Sequence, residues 1–266
     1  MSDSKTLKKL IERDDLKSTL WSLVFTKNFE KLITVGSSKY VQVYKYSSMP
    51  PYIEAEDVIT TQHNKSIRSI AVSPDNNLLA MSSFDASVSI WLNDGDLFDC
   101  VSILEGHESE VKCIDWHPTS NLLATCGRDK SIWIWEYSDL FEFYCLCIIN
   151  AHEQDVKFIK WVPERDLLVS CSYDDSIRVW KKDETDDDDE YYATQTIKEH
   201  KSTVWAVDFS QDGELMFSCS EDGSIVMYKY KGGDAFEKIK TIEQAHSRPV
   251  YTICYDSINS LLFSVR

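Results

Sequence analysis

The stretch HESEVKCIDWHPTSNLLATCGRDKSIWIW, from His107 to Trp135, recurs with small changes along the chain. Each of the four copies begins with a His, carries an Asp 22 positions later and ends with an aromatic residue 28 positions after the His. The other copies occupy residues 63–91, 152–180 and 200–228. Successive His residues are 44, 45 and 48 positions apart, and His246 follows after another 46. A repeat of about 40–45 residues predicts one structural unit per copy.

Each copy contains three short runs rich in Val, Ile, Trp and Thr, such as VKCIDW, LLATC and SIWIW, separated by turn residues. Runs of this composition predict three β-strands. The residues between the closing aromatic residue and the next His supply a fourth, outer strand. A His near the start and a Trp at the end of each unit are typical of a WD-repeat β-propeller. We therefore predict an all-β fold of four-stranded blades.

A polar set recurs within the copies. The repeat Asp is preceded by a Ser or Thr four positions earlier, and these two residues could link the His to the closing Trp by hydrogen bonds. The Asp residues are Asp85, Asp129, Asp174 and Asp222, and the hydroxyl residues are Thr125, Ser170 and Ser218. Met81 replaces the hydroxyl in the copy at 63–91, and Tyr228 replaces the Trp in the copy at 200–228. We expect these two blades to be held less firmly, because a half-satisfied buried network is costly.

A Ser, a His and an Asp brought together resemble a hydrolase triad. An enzyme needs one such set, whereas this chain repeats it at fixed spacing, so we predict a scaffold and no catalytic residues. The net charge is −16 with a pI near 4.8, which argues against nucleic-acid binding because that function requires a basic surface. The eight Cys residues form no C-x-x-C pair, and we predict no metal or cofactor. Cys145 and Cys147 are interpreted as packing residues, and the acidic loop 183–190 as a solvated loop or an acidic docking segment.

The two ends of the chain depart from the pattern. LWSLVF, KLITVG and YVQVYK align as a degenerate first blade, with Leu16, Ser38 and Tyr44 in the His, Asp and Trp positions. KTLKKLI, at 5–11, could be a strand that completes the last blade. His246 opens a sixth copy with Ser264 in the hydroxyl position, and its Asp would fall beyond Arg266. We expect a single domain over 1–266 with five full blades and a partial sixth, C-terminally incomplete, truncated from a seven-bladed protein with an open ring.

Function is expected where the residues vary while the frame repeats. The residue five positions after each His should lie at the mouth of the central channel, and these residues are three bases and three aromatics. We call them, with the residues just before each repeat Asp, the rim residues. The first group is Trp21, Arg68, Lys112, Lys157, Trp205 and Tyr251, and the second is Phe84, Arg128, Tyr173 and Glu221. Arg, Trp and Tyr dominate interface energetics, so all except Phe84 and Glu221 are predicted to bind a peptide or an acidic protein. The alternative is that they only pack the channel rim.

Several segments resemble the WD-repeat family of the cytosolic iron–sulfur protein assembly machinery. They include HESEVKCIDW, HEQDVKFIKW and HKSTVWAVDF, and the combination of RDKSIWIWE with YDDSIRVWK is the most particular. The resemblance implies a non-catalytic, seven-bladed scaffold of the targeting complex that hands clusters to cytosolic and nuclear apoproteins and holds no cluster itself. It also implies that Arg128, the Arg of the RDKS motif, is an exposed functional residue.

The partners that the resemblance implies are a small MIP-type protein, a large HEAT-repeat adaptor, an iron-only-hydrogenase-like carrier and client apoproteins. The chain would act as a monomer within this hetero-complex, in the cytoplasm and nucleus, with no nucleic acid or membrane as partner. The alternative is another class of WD-repeat adaptor, such as a substrate receptor for a ubiquitin ligase or a subunit of a chromatin complex.

Overall fold

The apolar runs of each copy form the strands of one small antiparallel sheet. A computed structural model of the chain describes residues 19–266 except 27, 96, 139 and 186–188. Within these residues there are 22 strands and no helix. Five sheets have four strands each, and the sixth has two. We call these sheets blades 1 to 6 in chain order.

The strands of blade 1 are β1 (Leu20–Phe25), β2 (Lys31–Gly36), β3 (Tyr40–Tyr46) and β4 (Ile53–Thr60). Those of blade 2 are β5 (Ile67–Val72), β6 (Leu78–Ser83), β7 (Val88–Asn93) and β8 (Phe98–Leu104). Those of blade 3 are β9 (Val111–Trp116), β10 (Leu122–Gly127), β11 (Ser131–Tyr137) and β12 (Phe143–Asn150).

Those of blade 4 are β13 (Val156–Trp161), β14 (Leu167–Ser172), β15 (Ile177–Lys182) and β16 (Tyr191–Ile197). Those of blade 5 are β17 (Val204–Phe209), β18 (Leu215–Ser220), β19 (Ile225–Gly232) and β20 (Ala235–Ile242). Blade 6 contains β21 (Thr252–Asp256) and β22 (Leu261–Val265). Each full blade pairs its strands in sequence order, with the first strand innermost and the fourth at the outer edge.

The core lies between neighbouring blades. The innermost strands pack in the order β1, β5, β9, β13, β17 and β21. The middle strands β6, β10, β14 and β18 are almost entirely buried, because both faces of each sheet contact another blade. Among the described strands, no comparable packing joins β21 to β1.

The predicted all-β architecture of five full blades and a partial sixth is confirmed, including the degenerate first blade with its strands at LWSLVF, KLITVG and YVQVYK. Tyr44 is buried as expected for the Trp position, but Ser38 is half-buried and its hydroxyl donates to the carbonyl oxygen of Tyr40, two residues away. Leu16 and KTLKKLI lie outside the described residues. The assignment of 1–266 as one C-terminally incomplete domain stays a prediction.

Candidate protein-binding rim

The polar set forms a complete hydrogen-bond network in blade 3. Nδ1 of His107 lies 2.6 Å from Oδ2 of Asp129, and Nε2 lies 2.9 Å from the hydroxyl of Thr125. The indole N–H of Trp135 donates to the same hydroxyl at 3.0 Å. A carboxylate can only accept, so the His107 proton is on Nδ1 and Thr125 donates to Nε2. Only 2% of the His107 side chain is exposed, so the network anchors the blade and offers no access to a substrate.

The same network recurs in blade 4, where His152 lies 2.9 Å from Asp174 and 2.7 Å from Ser170. In blade 5 Ser218 lies 2.7 Å from His200, but the hydroxyl of Tyr228 is 3.4 Å from Ser218. That longer distance agrees with the expectation of a weaker link there.

A Ser two positions after each repeat Asp also belongs to the network and was not predicted. Its hydroxyl donates to Oδ1 of that Asp at 2.5–2.7 Å and holds the carboxylate toward the His. These residues are Ser87, Ser131, Ser176 and Ser224. The signal was available, since a Ser occupies this position in all four copies.

Blade 2 corrects the expectation drawn from Met81. Ser89 lies on β7 directly opposite Met81 on β6. Its hydroxyl is 2.9 Å from Nε2 of His63 and accepts the indole N–H of Trp91 at 2.8 Å. The missing hydroxyl is therefore supplied by the paired strand, and the network of blade 2 is complete.

Replacing Ser89 by Ala is expected to lower the free energy of unfolding by about 1–3 kcal/mol, because two buried groups lose one shared partner. The matched control is Ser82→Ala in the same blade. The Ser82 hydroxyl is buried and contacts no hydrogen-bond partner in the described part of the chain, so its removal should change stability by less than about 0.5 kcal/mol. Urea denaturation measures both, and equal losses for the two variants would contradict the role of Ser89.

The rim residues of the innermost strands sit at β-bulges. In each full blade, the pairing of the first and second strands skips the residue five positions after the His position. The skipped residues are Trp21, Arg68, Lys112, Lys157 and Trp205. A bulge redirects the side chain of its extra residue and is frequent beside functional sites. The five residues therefore occupy the same kind of β-bulge at the same end of each full blade.

A recurring backbone bond places the second group beside the first. The amide of Arg128 donates to the carbonyl oxygen of Glu110 at 2.9 Å, and that of Tyr173 donates to Asp155 at 3.0 Å. Phe84 and Glu221 make the same bond in blades 2 and 5. The residue before each repeat Asp is therefore fixed next to the start of the innermost strand.

Contacts between aromatic rings and cations join the rim residues across blade boundaries. In blades 1 to 3, the Trp21 ring is 5.2 Å from Phe84, and Lys112 lies 4.4 Å above Phe84. The Arg68 guanidinium lies 5.8 Å from the Trp21 ring. Such contacts stabilise exposed cations by about 0.5–1 kcal/mol each.

The second half of the rim, in blades 4 to 6, repeats this pattern. Lys157 lies 4.9 Å from the Tyr173 ring and 5.4 Å from Trp205, which contacts Tyr251 edge-on at 5.1 Å. The structure thus brings all eight predicted residues except Arg128 into ring contacts.

The charges of the rim are more balanced than predicted from the sequence. Arg128 donates to Glu110 at 3.2 Å, and Lys157 donates to Asp155 at 3.0 Å. A hydrogen bond from the Ser109 hydroxyl is the main cause that lowers the pKa of Glu110 to about 2, while partial burial acts in the opposite direction and raises it. Burial lowers the pKa of Lys112, and the neighbouring charge of Lys157 adds to this effect. The expected reversal of sign is therefore partly neutralised by carboxylates three positions after the His.

Exposure separates the rim residues into two layers. Of the eight predicted binding residues, Arg128, Tyr173 and Tyr251 are exposed, with 60% of the Arg128 side chain accessible. Glu221 is exposed beside them. The second layer is half-buried beneath them and consists of Trp21, Arg68, Lys112, Lys157 and Trp205. A partner approaching the rim would meet the first three residues, while the second layer fixes their surroundings. Their role in binding stays a prediction.

A charged cluster in the innermost strands links blades 3 to 6. Asp208 accepts Lys160 Nζ at 2.5 Å and the amide of Tyr255 at 2.6 Å. Asp115 accepts the amide of Trp161 at 2.8 Å, and burial raises the pKa of Asp115 to about 6 despite the nearby charge of Lys160. Asp115, Lys160 and Asp208 all lie eight positions after a repeat His, and this shared position was not predicted to be functional or structural.

The two remaining Cys residues of interest differ. Cys147 packs against the core between blades 3 and 4, as expected, but Cys145 is exposed, contrary to the packing interpretation. Across the described residues, no group of three or more His, Cys, Asp or Glu side chains is placed to hold a metal ion. No helix in that part of the chain is long and apolar enough to cross a membrane.

The sequence also resembles known proteins. Residues 56–91, 98–136, 143–181 and 192–229 match the family model "WD domain, G-beta repeat". The first of these matches runs from the outer strand of blade 1 through the first three strands of blade 2, and the others repeat this offset.

Among curated relatives, the "Probable cytosolic iron-sulfur protein assembly protein 1" of Kluyveromyces lactis is 35% identical over 119 residues, covering 42% of this chain and 34% of the relative. "Protein CIA1" of Arabidopsis thaliana is 38% identical over 75 residues, covering 28% and 21% of the two chains. The CIAO1 homologue of Caenorhabditis elegans is 34% identical over 103 residues, covering 38% and 30%. The chain thus spans about a third or less of the length of these relatives. Because the repeat model matches more than half of its residues, the chain belongs to the WD domain, G-beta repeat family.

Proposed function

We propose that this chain is a non-catalytic scaffold in cytosolic iron–sulfur protein assembly and that it binds protein partners at the rim. The observation that carries the proposal is the bulge shared by five blades, which presents aromatic and basic side chains at one end of the ring. The assignment to this pathway is supported by the similarity to relatives that are named for cytosolic iron–sulfur assembly.

The rim has the composition of an interaction surface. Tyr and Arg are enriched among residues that contribute most to binding energy, and Arg128, Tyr173 and Tyr251 are the exposed members of the predicted binding set. The half-buried Lys157 and Trp205 restrain the side chains of Tyr173 and Tyr251 through ring and cation contacts, and Glu110 restrains Arg128. Such restraint lowers the entropy lost on binding.

The finer form of the proposal places the chain in the targeting complex, in the cytosol and the nucleus. Its partners would be a small MIP-type protein, a HEAT-repeat adaptor, an iron-only-hydrogenase-like carrier and client apoproteins. The chain would be a monomer in this hetero-complex, without a resident cofactor and without nucleic acid or a membrane as partner.

A scaffold explains the recurring His, Asp and hydroxyl residues better than an enzyme does. The side chains of His63, His107, His152 and His200 are at most 2% exposed. Each His is saturated by an Asp and a hydroxyl, so these groups have a structural use that requires no substrate.

The test is capture of assembly components from cell extract by the parent chain and by Arg128→Glu. Inverting a charge at the exposed layer should reduce capture of the MIP-type protein and the HEAT-repeat adaptor about tenfold or more, a loss typical of an important interface residue. The melting temperature should stay unchanged, because Arg128 contacts only rim groups. Capture is quantified by mass spectrometry at matched salt.

Lys229→Glu is the matched control, because it inverts an exposed base on β19 away from the rim. It should capture the same components as the parent. Equal capture by Arg128→Glu and Lys229→Glu would reject the rim as the binding site. Recovery of cullin or chromatin subunits in place of assembly components would reject the pathway.

A further inference from the structure

The outer strand of blade 3 differs from the other outer strands. β12 reads FYCLCIIN and contains no charged residue, whereas β4, β8 and β20 each contain Asp, Glu or Lys. Natural edge strands use such charges to prevent pairing with another chain. Within the described residues, β12 pairs with β11 alone, so its outer backbone groups are available for pairing.

The outer strand of blade 4 also lacks charge but is covered in another way. In β16, the Thr194 hydroxyl donates to the carbonyl oxygen of Asp234, and the Gln195 side chain bonds both backbone groups of Phe236. On β12, the Cys147 thiol bonds to the backbone of Tyr191 in blade 4, but within the described chain the exposed side chains of Tyr144 and Cys145 bond only to Glu142 and Cys147 of their own segment. β12 is therefore the unprotected edge of the two.

The accessible side chains of β12 are apolar except for Asn150 at its end. Tyr144 is 56% and Ile148 is 50% exposed, and the thiol residue Cys145 lies between them. Leu146 and Cys147 face the core between blades 3 and 4. The strand is thus anchored on one side and presents an apolar row and a free backbone edge on the other.

The charge around this edge is negative. Asp189 and Glu190 act electrostatically on the thiol of Cys147 in the middle of β12. Glu142 precedes the strand and accepts the Tyr144 hydroxyl at 2.6 Å. Lys182 pairs with Asp189, and the negative charges of Glu142 and Glu190 are left uncompensated by this pair. With a net charge of −16 on the whole chain, a second copy would be repelled, whereas a basic partner would be attracted.

We propose that the outer edge of β12 binds an extended segment of a partner protein in which Lys or Arg alternates with Val, Ile or Thr. The segment adds to blade 3 as a fifth strand. Backbone hydrogen bonds to β12 supply affinity, the apolar residues contact Tyr144 and Ile148, and the bases face Glu142 and Glu190. Strand addition to an exposed sheet edge is a general mode of peptide recognition. This surface lies at the circumference of blade 3 and is separate from the rim.

The probe is a fluorescent peptide in which Lys alternates with Val, titrated into the full chain and followed by anisotropy. We expect saturable binding that weakens as salt rises, because exposed charges are screened. A peptide with Glu in place of Lys should bind at least about tenfold more weakly. Hydrogen exchange of the β12 amides should slow when the Lys peptide is bound, while exchange in β16 stays the same.

Two variants test whether the peptide binds at β12. Ile148→Lys and Tyr144→Lys should each weaken binding about tenfold or more by adding repulsion and removing apolar contact. Ile239→Lys is the matched control, since it changes an equally exposed Ile on the outer strand of blade 5, and it should bind like the parent. Arg128→Glu should also bind like the parent, which separates this test from that of the rim.

Absence of binding, or equal weakening by Ile239→Lys and Ile148→Lys, would overturn the proposal. So would protection of amides outside blade 3, or self-association of the chain through β12 in sedimentation experiments with no peptide binding. If Ile148→Lys fails to fold, Tyr144→Lys decides the matter, because Tyr144 is more exposed and packs against no core cluster of the described residues.

Discussion

Replacing Asp129 by Ala is expected to lower the free energy of unfolding by about 1–3 kcal/mol, the usual cost of leaving buried polar groups without a partner. Asp129 accepts Nδ1 of His107 at 2.6 Å, the amide of Glu108 at 3.1 Å and the hydroxyl of Ser131 at 2.7 Å. These three donors, and the amide of Ser131 at 3.2 Å, lose their acceptor in the variant. Their loss also releases the His107 ring that orients Thr125. Urea denaturation followed by Trp fluorescence measures the change.

Two further variants make the Asp129 experiment specific. Asp129→Asn keeps an oxygen that can accept from His107 and should recover part of the loss. Asp99→Ala removes an exposed carboxylate on β8 and should change stability by less than about 0.5 kcal/mol. Equal unfolding midpoints for Asp129→Ala and Asp99→Ala would show that the network contributes nothing to blade 3.

The polar network could be predicted from the sequence because its members repeat. Four copies at constant spacing identify Asp129, Thr125 and Trp135 as one set without any knowledge of the fold. Blade 2 shows the limit of this reasoning. Ser89 supplies the hydroxyl that Met81 lacks, from the opposite position on the paired strand. Which residues face each other across a sheet depends on the strand register, and a single sequence position does not reveal that register.

The rim shows the same limit in another form. The spacing predicted correctly that Arg68, Lys112 and Lys157 occupy equivalent places, but not that these residues lie at bulges. A bulge is a property of two paired strands and has no signature within one of them. The pairing of Arg128 with Glu110 was not predicted either, because an acid does not occupy this position in every copy: it is Ser66 in blade 2 and Thr203 in blade 5.

The stability of the chain should fall when the solution is acidified below about pH 6.5. Burial lowers the pKa of His63, His152 and His200, although the neighbouring Asp opposes it. Below about pH 6.5, where the His residues of the unfolded chain titrate, the unfolded chain therefore binds more protons than the folded chain. Linkage requires that folding stability is complete above that pH and decreases as the pH falls.

The Asp residues of the networks extend the loss to lower pH. Burial alone would raise the pKa of Asp85 and Asp222, but hydrogen bonds from Ser87 and Ser224 and from neighbouring amides, with the nearby His, lower both to about 2. The folded chain therefore holds two carboxylates ionised that the unfolded chain protonates near pH 3.8. At about 1.4 kcal/mol per pKa unit, each contributes about 2 kcal/mol that is lost between about pH 4 and pH 2.

One group acts in the opposite direction. Burial raises the pKa of Asp115 to about 6, so its contribution to stability grows as the pH falls from about 6 to 4 and is constant below that range.

We therefore expect a moderate loss of unfolding free energy between pH 6.5 and 4 and a steep loss below pH 4. Urea denaturation at a series of pH values measures both ranges. Asp85→Asn should reduce the loss below pH 4 by about 2 kcal/mol, and Asp99→Ala should leave it unchanged. A free energy of unfolding that stays constant from pH 8 to pH 3 would mean that the fold does not keep His63, His152 and His200 neutral and Asp85 and Asp222 ionised.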